Sequence, residues 1–238
     1  MIVLTADQRG STRHGDRVPE VLDLLHARTA GRAGLVLPFD RTVGDEVQGL
    51  LDGSPDGATL ALDTALALLR DGRWTVGLGV GAVDEPLPAA SRAASGPAFV
   101  HARHAVERAK GRGSAAPVAV EADDAAAAAE VEALLRLLGA VAARRTPAGW
   151  EAIDTLTAAG TDGSVKAVSQ KDTQKDTQKD TSQKDVARAL GVTEQAVSQR
   201  LRAALWAEEA AVRPVVARLL TALAGAGRAG RPAGGAGA

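Results

Sequence analysis

From Ser169 to Asp185 the chain carries no apolar side chain at all. The unit Gln-Lys-Asp-Thr recurs there from Gln170 to Thr181, and a stretch so polar cannot bury enough hydrocarbon to form a core. The 238-residue chain must therefore fold on either side of it. Lysine usage marks the same place: Lys166, Lys171, Lys175, Lys179 and Lys184 crowd together here, while Lys110 stands alone elsewhere. Such a break in composition is a boundary or an insertion. A four-residue period drifts slowly around a helix, which would align Lys and Asp in stripes. The segment 161–182 is read as a polar insertion, either a linker or a frayed extension of the helix that follows.

Aromatic residues make up only 2% of the chain, so the core must be built from Ala, Val and Leu. "MIVLTAD" is an apolar run of strand length, and "RVPEVLDLLHART" places Val18, Val21, Leu22 and Leu25 at helical spacing with Pro19 in the first turn. "AGLVLPF" and "VQGLL" read as strands paired in a hairpin that bends near Gly44 and Asp45. "SPDGATLALDTALALLRDGR" is a helix capped by Ser54 or Asp56, and "WTVGLGVGAV" is a strand whose glycines admit a close neighbour. "SGPAFVHARHAVERAKGRG" follows as a helix capped by Ser95, then "APVAVEAD" as a strand. "DDAAAAAEVEALLRLLGAVAARR" is a long helix ending in Arg144 and Arg145, as the helix dipole favours. The hairpin interrupts strict alternation, so the expectation is an α+β sandwich rather than a doubly wound sheet. Its limits are placed at 1–122, with 123–146 as a connecting helix.

After "TPAGW" no strand signal remains. "TPAGWEAIDTLTAAG" is a helix with Trp150, Ile153 and Leu156 on its core face. Ser182 is placed as a cap ahead of Val186, Ala187 and Leu190; Gly191 supplies a turn, and Thr193 caps "EQAVSQRLRAALWAEEAA". In that helix Ala196, Val197, Leu201 and Leu205 are placed inward. A short helix, a glycine turn and a second helix with a polar outer flank is the helix-turn-helix design. "QKDVARALGVTEQAVSQRL" resembles the helix-turn-helix of bacterial regulators and of sigma-factor region 4. The resemblance implies that Thr193, Gln195, Ser198, Gln199 and Arg202 face a DNA major groove, with Lys184, Arg188 and Arg200 on phosphates. "VRPVVARLLTALAG" adds an amphipathic helix, which closes a small all-α domain at 147–225. The Gly/Ala tail 226–238 is expected to be disordered.

Three carboxylates of the first part converge at one end of the expected sheet: Asp7 at the close of the first strand, and Asp45 and Glu46 on the hairpin. They serve either as caps of turns at strand ends or as oxygen ligands of a hard divalent cation. "LTADQRGSTR", "FDRTVGDEVQGLL", "VGLGVGAV" and "SGPAFVHARHAVERAKGRG", in this order, resemble the SatD family over roughly the first 115 residues. The same blocks are similar, more distantly, to nucleotidyl cyclase and GGDEF domains, whose palm or ferredoxin-like βαββαβ core binds two metals at a strand-end Asp and a hairpin. The likeness implies a metal role, as Mg²⁺ or Mn²⁺ ligands, for Asp7, Asp45 and Glu46, and nucleotide phosphate contacts for Arg103 and Lys110. Two departures count against turnover: Val43 replaces the first glycine of GGDEF, and Phe99 stands where class III cyclases carry an asparagine. No catalytic residue is assigned. His101 and His104, spaced to share a helix face, lack a third ligand and read as a solvated surface. "GLGVG" lacks the third glycine and following helix of a dinucleotide loop.

Net charge is −1, so any nucleic-acid contact must come from a local patch. No apolar run approaches the roughly 18–20 residues that cross a bilayer. Without cysteine, and with no cleavable leader in "MIVLTADQRG", the chain is expected to be cytoplasmic, with no membrane partner. The preferred expectation is a DNA-binding transcriptional regulator, homodimeric on double-stranded DNA, whose first domain binds or senses a nucleotide, a divalent metal or both. The alternatives are a metal-dependent nucleotide cyclase or nucleotidyltransferase with an accessory helical domain, and a non-catalytic assembly protein.

Overall fold

A computed structural model describes residues 1–111, 116–161 and 175–229 of the chain. They fall into two compact units, Arg144–Ala211 and the remainder, Met1–Ala143 with Val212–Ala238. In the first unit one mixed sheet runs β2 (Leu35–Arg41), β3 (Glu46–Leu51), β1 (Ile2–Gln8), β4 (Trp74–Val80), β5 (Val118–Glu121) in spatial order. Neighbours are antiparallel except for the parallel pair β4 and β5. The helices are α1 (Ser11–His14), α2 (Val18–Thr29), α3 (Pro55–Asp71), α4 (Pro97–Lys110) and α5 (Ala125–Ala143), with a 3-10 turn at Ser91–Ala93. The mixed α+β class and the order of elements match the reading of the sequence.

Side chains alternate across the sheet, and its two faces are built differently. One face presents Ile2, Leu4, Ala6, Val76, Leu78 and Trp74 to the main core. That core takes Leu60, Leu62 and Leu68 from α3 and Val131, Leu135 and Leu138 from α5, all buried. The helix expected at 123–146 as a connector is therefore a packing element of the first unit. Val216, Leu220 and Leu223 of α9 (Trp206–Ala229) join the same core, so the later part of that helix belongs here and not with 147–225. Arg213 adds an ion pair to Asp63, which also holds Arg32 at 2.8 Å.

On the opposite face α4 lies against β4, which bears only glycine where they meet. A Cβ at Gly77 would stand 2.5 Å from the Ala102 carbonyl oxygen and from the Val106 nitrogen. A Cβ at Gly79 would land on the Ala98 carbonyl oxygen and the Ala102 nitrogen. The helix answers with Ala98, Ala102, Ala105 and Ala109, all buried. Ser95 does not cap it: the N-cap is Gly96 at φ 122, where an added Cβ would meet Val83 and Asp84, and Ser95 Oγ donates to Asp84 instead (2.8 Å). The far end of α4 is anchored by Arg108, which donates to Glu132 of α5 (2.6 Å), Glu121 (2.7 Å) and the Val120 carbonyl (2.9 Å). Burial opposes ionisation of Glu132, but the Arg108 hydrogen bonds and the Val120 N–H overcome it and hold the carboxyl below its ordinary range.

The second unit consists of α6 (Pro147–Thr161), α7 (Lys175–Leu190), α8 (Glu194–Ala203) and the start of α9. Ala152, Ile153, Val186, Ala187, Val197 and Leu201 form its buried centre, with Trp150 and Leu156 packed against it. The backbone is helical from Lys175, so Ser182 lies inside α7 and not at a cap; the earlier part of the repeat, 162–174, lies outside the described residues. The helix after the turn is shorter than its sequence suggests. It ends at Ala203, and Leu205 turns the chain with φ 52, leaving its side chain 43% exposed rather than inward. Arg145 does not extend α5: it is buried, donates Nε–H to the Ala204 carbonyl (2.8 Å) and lies over the Trp150 ring (4.8 Å). Its Nη2 stands 2.7 Å from Glu209 Oε2 without the alignment of a hydrogen bond. The helix α9 runs on to Ala229, into the stretch expected as tail, and 230–238 lie outside the described residues.

Two stability measurements test these contacts. Gly79→Ala should lower the unfolding free energy by about 3 kcal/mol, because α4 must lift to admit one methyl group, and a urea titration would read the loss. Leu205→Gly should raise the melting temperature of the chain, relieving about 1 kcal/mol of left-handed strain at little cost in burial.

Candidate functional site

Two surfaces of the chain carry polar side chains that the core does not need. The first lies on the α4 side of the sheet. Asp7 and Glu46 are directly opposed in the β1–β3 register, with Asp45 one residue before Glu46 in the hairpin. The three carboxylates do meet at one end of the sheet, but their commitments differ. Asp7 accepts an ion pair from Lys110 at 2.8 Å, and Lys110 also holds Glu107 at 2.8 Å. Glu46 accepts from the Thr42 hydroxyl at 2.6 Å. Among the described residues no group of three or more His, Asp or Glu side chains is arranged to hold a metal ion. With Asp7 already paired to the Lys110 ammonium and no such group among the described residues, the arrangement does not fit a metal centre.

Burial raises the Asp7 carboxyl above its ordinary value; Lys110 works against this and nearby Asp45 adds to it. Desolvation also presses on the Lys110 ammonium, but its hydrogen bonds to Asp7 and Glu107 prevail and raise it. Lys110 is therefore held as a fixed cation. His101, the other feature of this helix, binds the Val80 carbonyl through Nδ1 (2.9 Å) and stands 3.5 Å from Asp123, a structural role.

Beside this cluster α4 leaves part of β3 uncovered, and the gap is framed by the hairpin and the 3-10 turn. Gln48 fastens the turn: its Nε2 donates to the Ser91 carbonyl (3.0 Å) and Ser91 Oγ donates back to the Gln48 carbonyl (2.8 Å). Between these elements is a cavity of about 370 Å³ lined by Thr42, Gln48, Arg92, Phe99, Val100 and Arg103, among others. Of the two residues expected at nucleotide phosphates, Arg103 lines this cavity and Lys110 does not. Sequence reasoning missed Arg92, which sits in an irregular segment with no periodic signal. It also passed over Gln48, although a glutamine between Val47 and Gly49 in a buried strand was a legible clue.

The second surface is the outer flank of α8. Thr193 caps the helix, its Oγ1 accepting from the Ala196 N–H at 3.1 Å, and Gly191 makes the preceding turn at φ 63. Thr193, Gln195, Gln199 and Arg202 are exposed and Ser198 is half-buried. Ser198 and Arg202 also border a cleft of about 510 Å³ with Leu156, Gln183, Leu201 and Trp206. Lys184 and Arg188 are exposed on α7, the latter 2.8 Å from Asp185. Arg200 reaches back to Glu151 of α6 (3.0 Å) and thereby ties α8 to its support.

Removing the ammonium should change Asp7 in a measurable way. A carboxyl whose folded pKa is raised costs stability as pH climbs from its unfolded value through its folded one. In Lys110→Met the Asp7 carboxyl should titrate higher still, and the drop in stability across that window should widen, as followed by carboxyl NMR and thermal melts from pH about 4 to 7.

The SatD family model matches residues 22–207, well over half of the chain and beyond the first 115 residues in which the resemblance was read. No curated protein matches the chain, and no solved structure does.

Proposed function

The chain belongs to the SatD family, and on that footing we propose that it is a sequence-specific DNA-binding regulator whose first unit binds a nucleotide. One observation carries the DNA half of this reading. Two short helices joined through Gly191 at positive φ pack on a third, and the later one keeps Thr193, Gln195, Gln199 and Arg202 open to solvent. A helix-turn-helix requires such a flank, in which Gln reads adenine and Arg reads guanine by paired hydrogen bonds. Lys184 and Arg188 beside it suit phosphates, which position a protein without specifying sequence. Arg200 contributes from the rim, since Glu151 already holds it. One such module covers a short half-site, so the functional species is a homodimer on two half-sites of double-stranded DNA.

For the first unit, the order β2-β3-β1-β4 with a hairpin beside the central strand supports a palm-like βαββαβ unit, extended by β5. This is an argument from fold and does not by itself give an activity. Lys110 at Asp7 favours nucleotide binding without metal-assisted turnover over the cyclase alternative.

Selection of bound sequences from a random duplex pool, followed by fluorescence anisotropy at several salt concentrations, tests the DNA half. Gln199→Ala and Arg202→Ala should each cost about 1–3 kcal/mol on the selected site and leave binding to unrelated DNA unchanged. If selected and unrelated duplexes bind alike at every salt concentration, the regulator reading is wrong.

A further inference from the structure

The cavity beside β3 has the composition of a ligand site and not of a packing defect. Its two cations come from different elements: Arg92 from the 3-10 turn, Arg103 from the middle of α4. Among the described residues Arg103 makes no hydrogen bond or ion pair. Arg92 has only Asp40, 3.5 Å away, and its side chain is 62% exposed. Two guanidinium groups bordering one concavity can hold an anion between them, and guanidinium is the side chain best shaped to grip phosphate oxygens in pairs.

Much of the remaining wall is apolar. Phe99 lines it from α4, Val100 is 52% exposed, and Val43 at the hairpin is 81% exposed, so two of the few large exposed hydrophobic residues among the described residues lie on this rim. The polar groups beside them, on Thr42, Gln48 and Ser95, are partly spent, Ser95 on Asp84. Thr42 already donates to Glu46, so its oxygen remains as an acceptor, and Gln48 has one amide hydrogen committed to Ser91. The first amides of α4 are used internally, Ala98 N–H on the Ala82 carbonyl and Phe99 and Val100 N–H on Gly96, so the helix end plays no part. A volume of about 370 Å³ lies near the lower end of ligand cavities, roughly 300–1,000 Å³.

We infer that this cavity takes a mononucleotide, its phosphate between Arg92 and Arg103 and its planar base against Phe99, Val43 and Val100. The inference rests on the nucleotide-binding half of the function proposed above and assigns it a place distinct from the Asp7–Lys110 pair. Lys110 is too committed to Asp7 and Glu107 to serve as the phosphate ligand; Arg92 takes that part.

Calorimetric titration of the full chain in EDTA with AMP, GMP, adenosine, guanosine and inorganic phosphate tests it. At least one nucleotide should bind, with its nucleoside and phosphate alone each at least tenfold weaker. Arg92→Gln and Arg103→Gln should each weaken that nucleotide tenfold or more while the melting temperature holds, since both side chains lie at the surface. Val100→Trp, which fills the mouth from an exposed position, should block binding without touching either arginine. Nucleotide binding that persists in the Arg92→Gln/Arg103→Gln double variant, or that needs Mg²⁺ and disappears in Asp45→Asn, overturns this site and leaves nucleotide binding by the first unit standing. Phosphate binding as tightly as the nucleotide overturns the assignment of the base. No binding of either nucleotide up to about 1 mM, in EDTA or in a parallel titration with added Mg²⁺, overturns both the site and the nucleotide half of the proposed function, while the DNA assay, run without ligand, is unaffected.

Discussion

The approach of α4 to β4 is set by two missing side chains. With no Cβ at Gly77 or Gly79, the helix backbone rests on the strand backbone, and the inner face of the helix is mostly alanine: Ala98, Ala102, Ala105 and Ala109. Such a contact gains little from burial per residue, since each alanine offers a single methyl group. It gains instead from close packing over many atoms, and it fixes the helix tightly in position. The opposite face of the same strand follows the usual rule, with Trp74, Val76 and Leu78 driven into a leucine-rich core. One strand thus accounts for the asymmetry of the unit.

Everything polar on the α4 side follows from where that helix must lie. Pinned over β4, it cannot also cover β3, so Gln48 and Glu46 are left facing a gap closed only by the 3-10 turn and the hairpin. Its ends are held by charge: Arg108 on Glu132 and Glu121 toward β5, Lys110 on Asp7 toward β1. The Glu132 carboxylate is the most buried of these acids; it accepts hydrogen bonds from Arg108 and the Val120 N–H and forms an ion pair with Arg136. Truncating such a partner would cost several kcal/mol, roughly 3–5, since it strands a charge away from water. The Asp7–Lys110 pair, partly buried as well, fixes the other end of the helix beside β1.

Periodicity and turn residues made the strands, the long helices and the α+β class legible, because a buried face imposes its period on the sequence. What they could not reveal depended on partners distant in the chain. Ser95 has the chemistry of a cap, but the close approach of Val83 to Gly96 sends its hydroxyl to Asp84. Leu205 sits in an apparently unbroken helical run, and nothing local marks it as the residue that turns left-handed. Arg145 looks like a helix terminus until Trp150, Ala204 and Glu209 close around it. The carboxylates Asp7, Asp45 and Glu46 were correctly placed together by hairpin logic, but the lysine that meets Asp7 comes from 103 positions away in the chain, 110 minus 7, and no spacing rule reaches that far.

A chain with 28 basic and 29 acidic residues has no surplus of positive charge to spend on ligands, so the use made of each cation separates scaffold from site. Arg32, Arg108, Arg136, Arg145, Arg200 and Arg213 are matched to carboxylates within their own unit. Removing any of these would unbalance the fold before it altered recognition. Arg103, Lys184 and Arg202 have no such partner among the described residues, and they lie on the two surfaces where concavity or an open helix flank offers access from solvent. An unpaired guanidinium at a surface costs the fold nothing, because water solvates it, so stability gives no reason for its place. Folding alone does not account for its coincidence with the apolar side chains of Phe99 and Val100, or with the glutamines on α8.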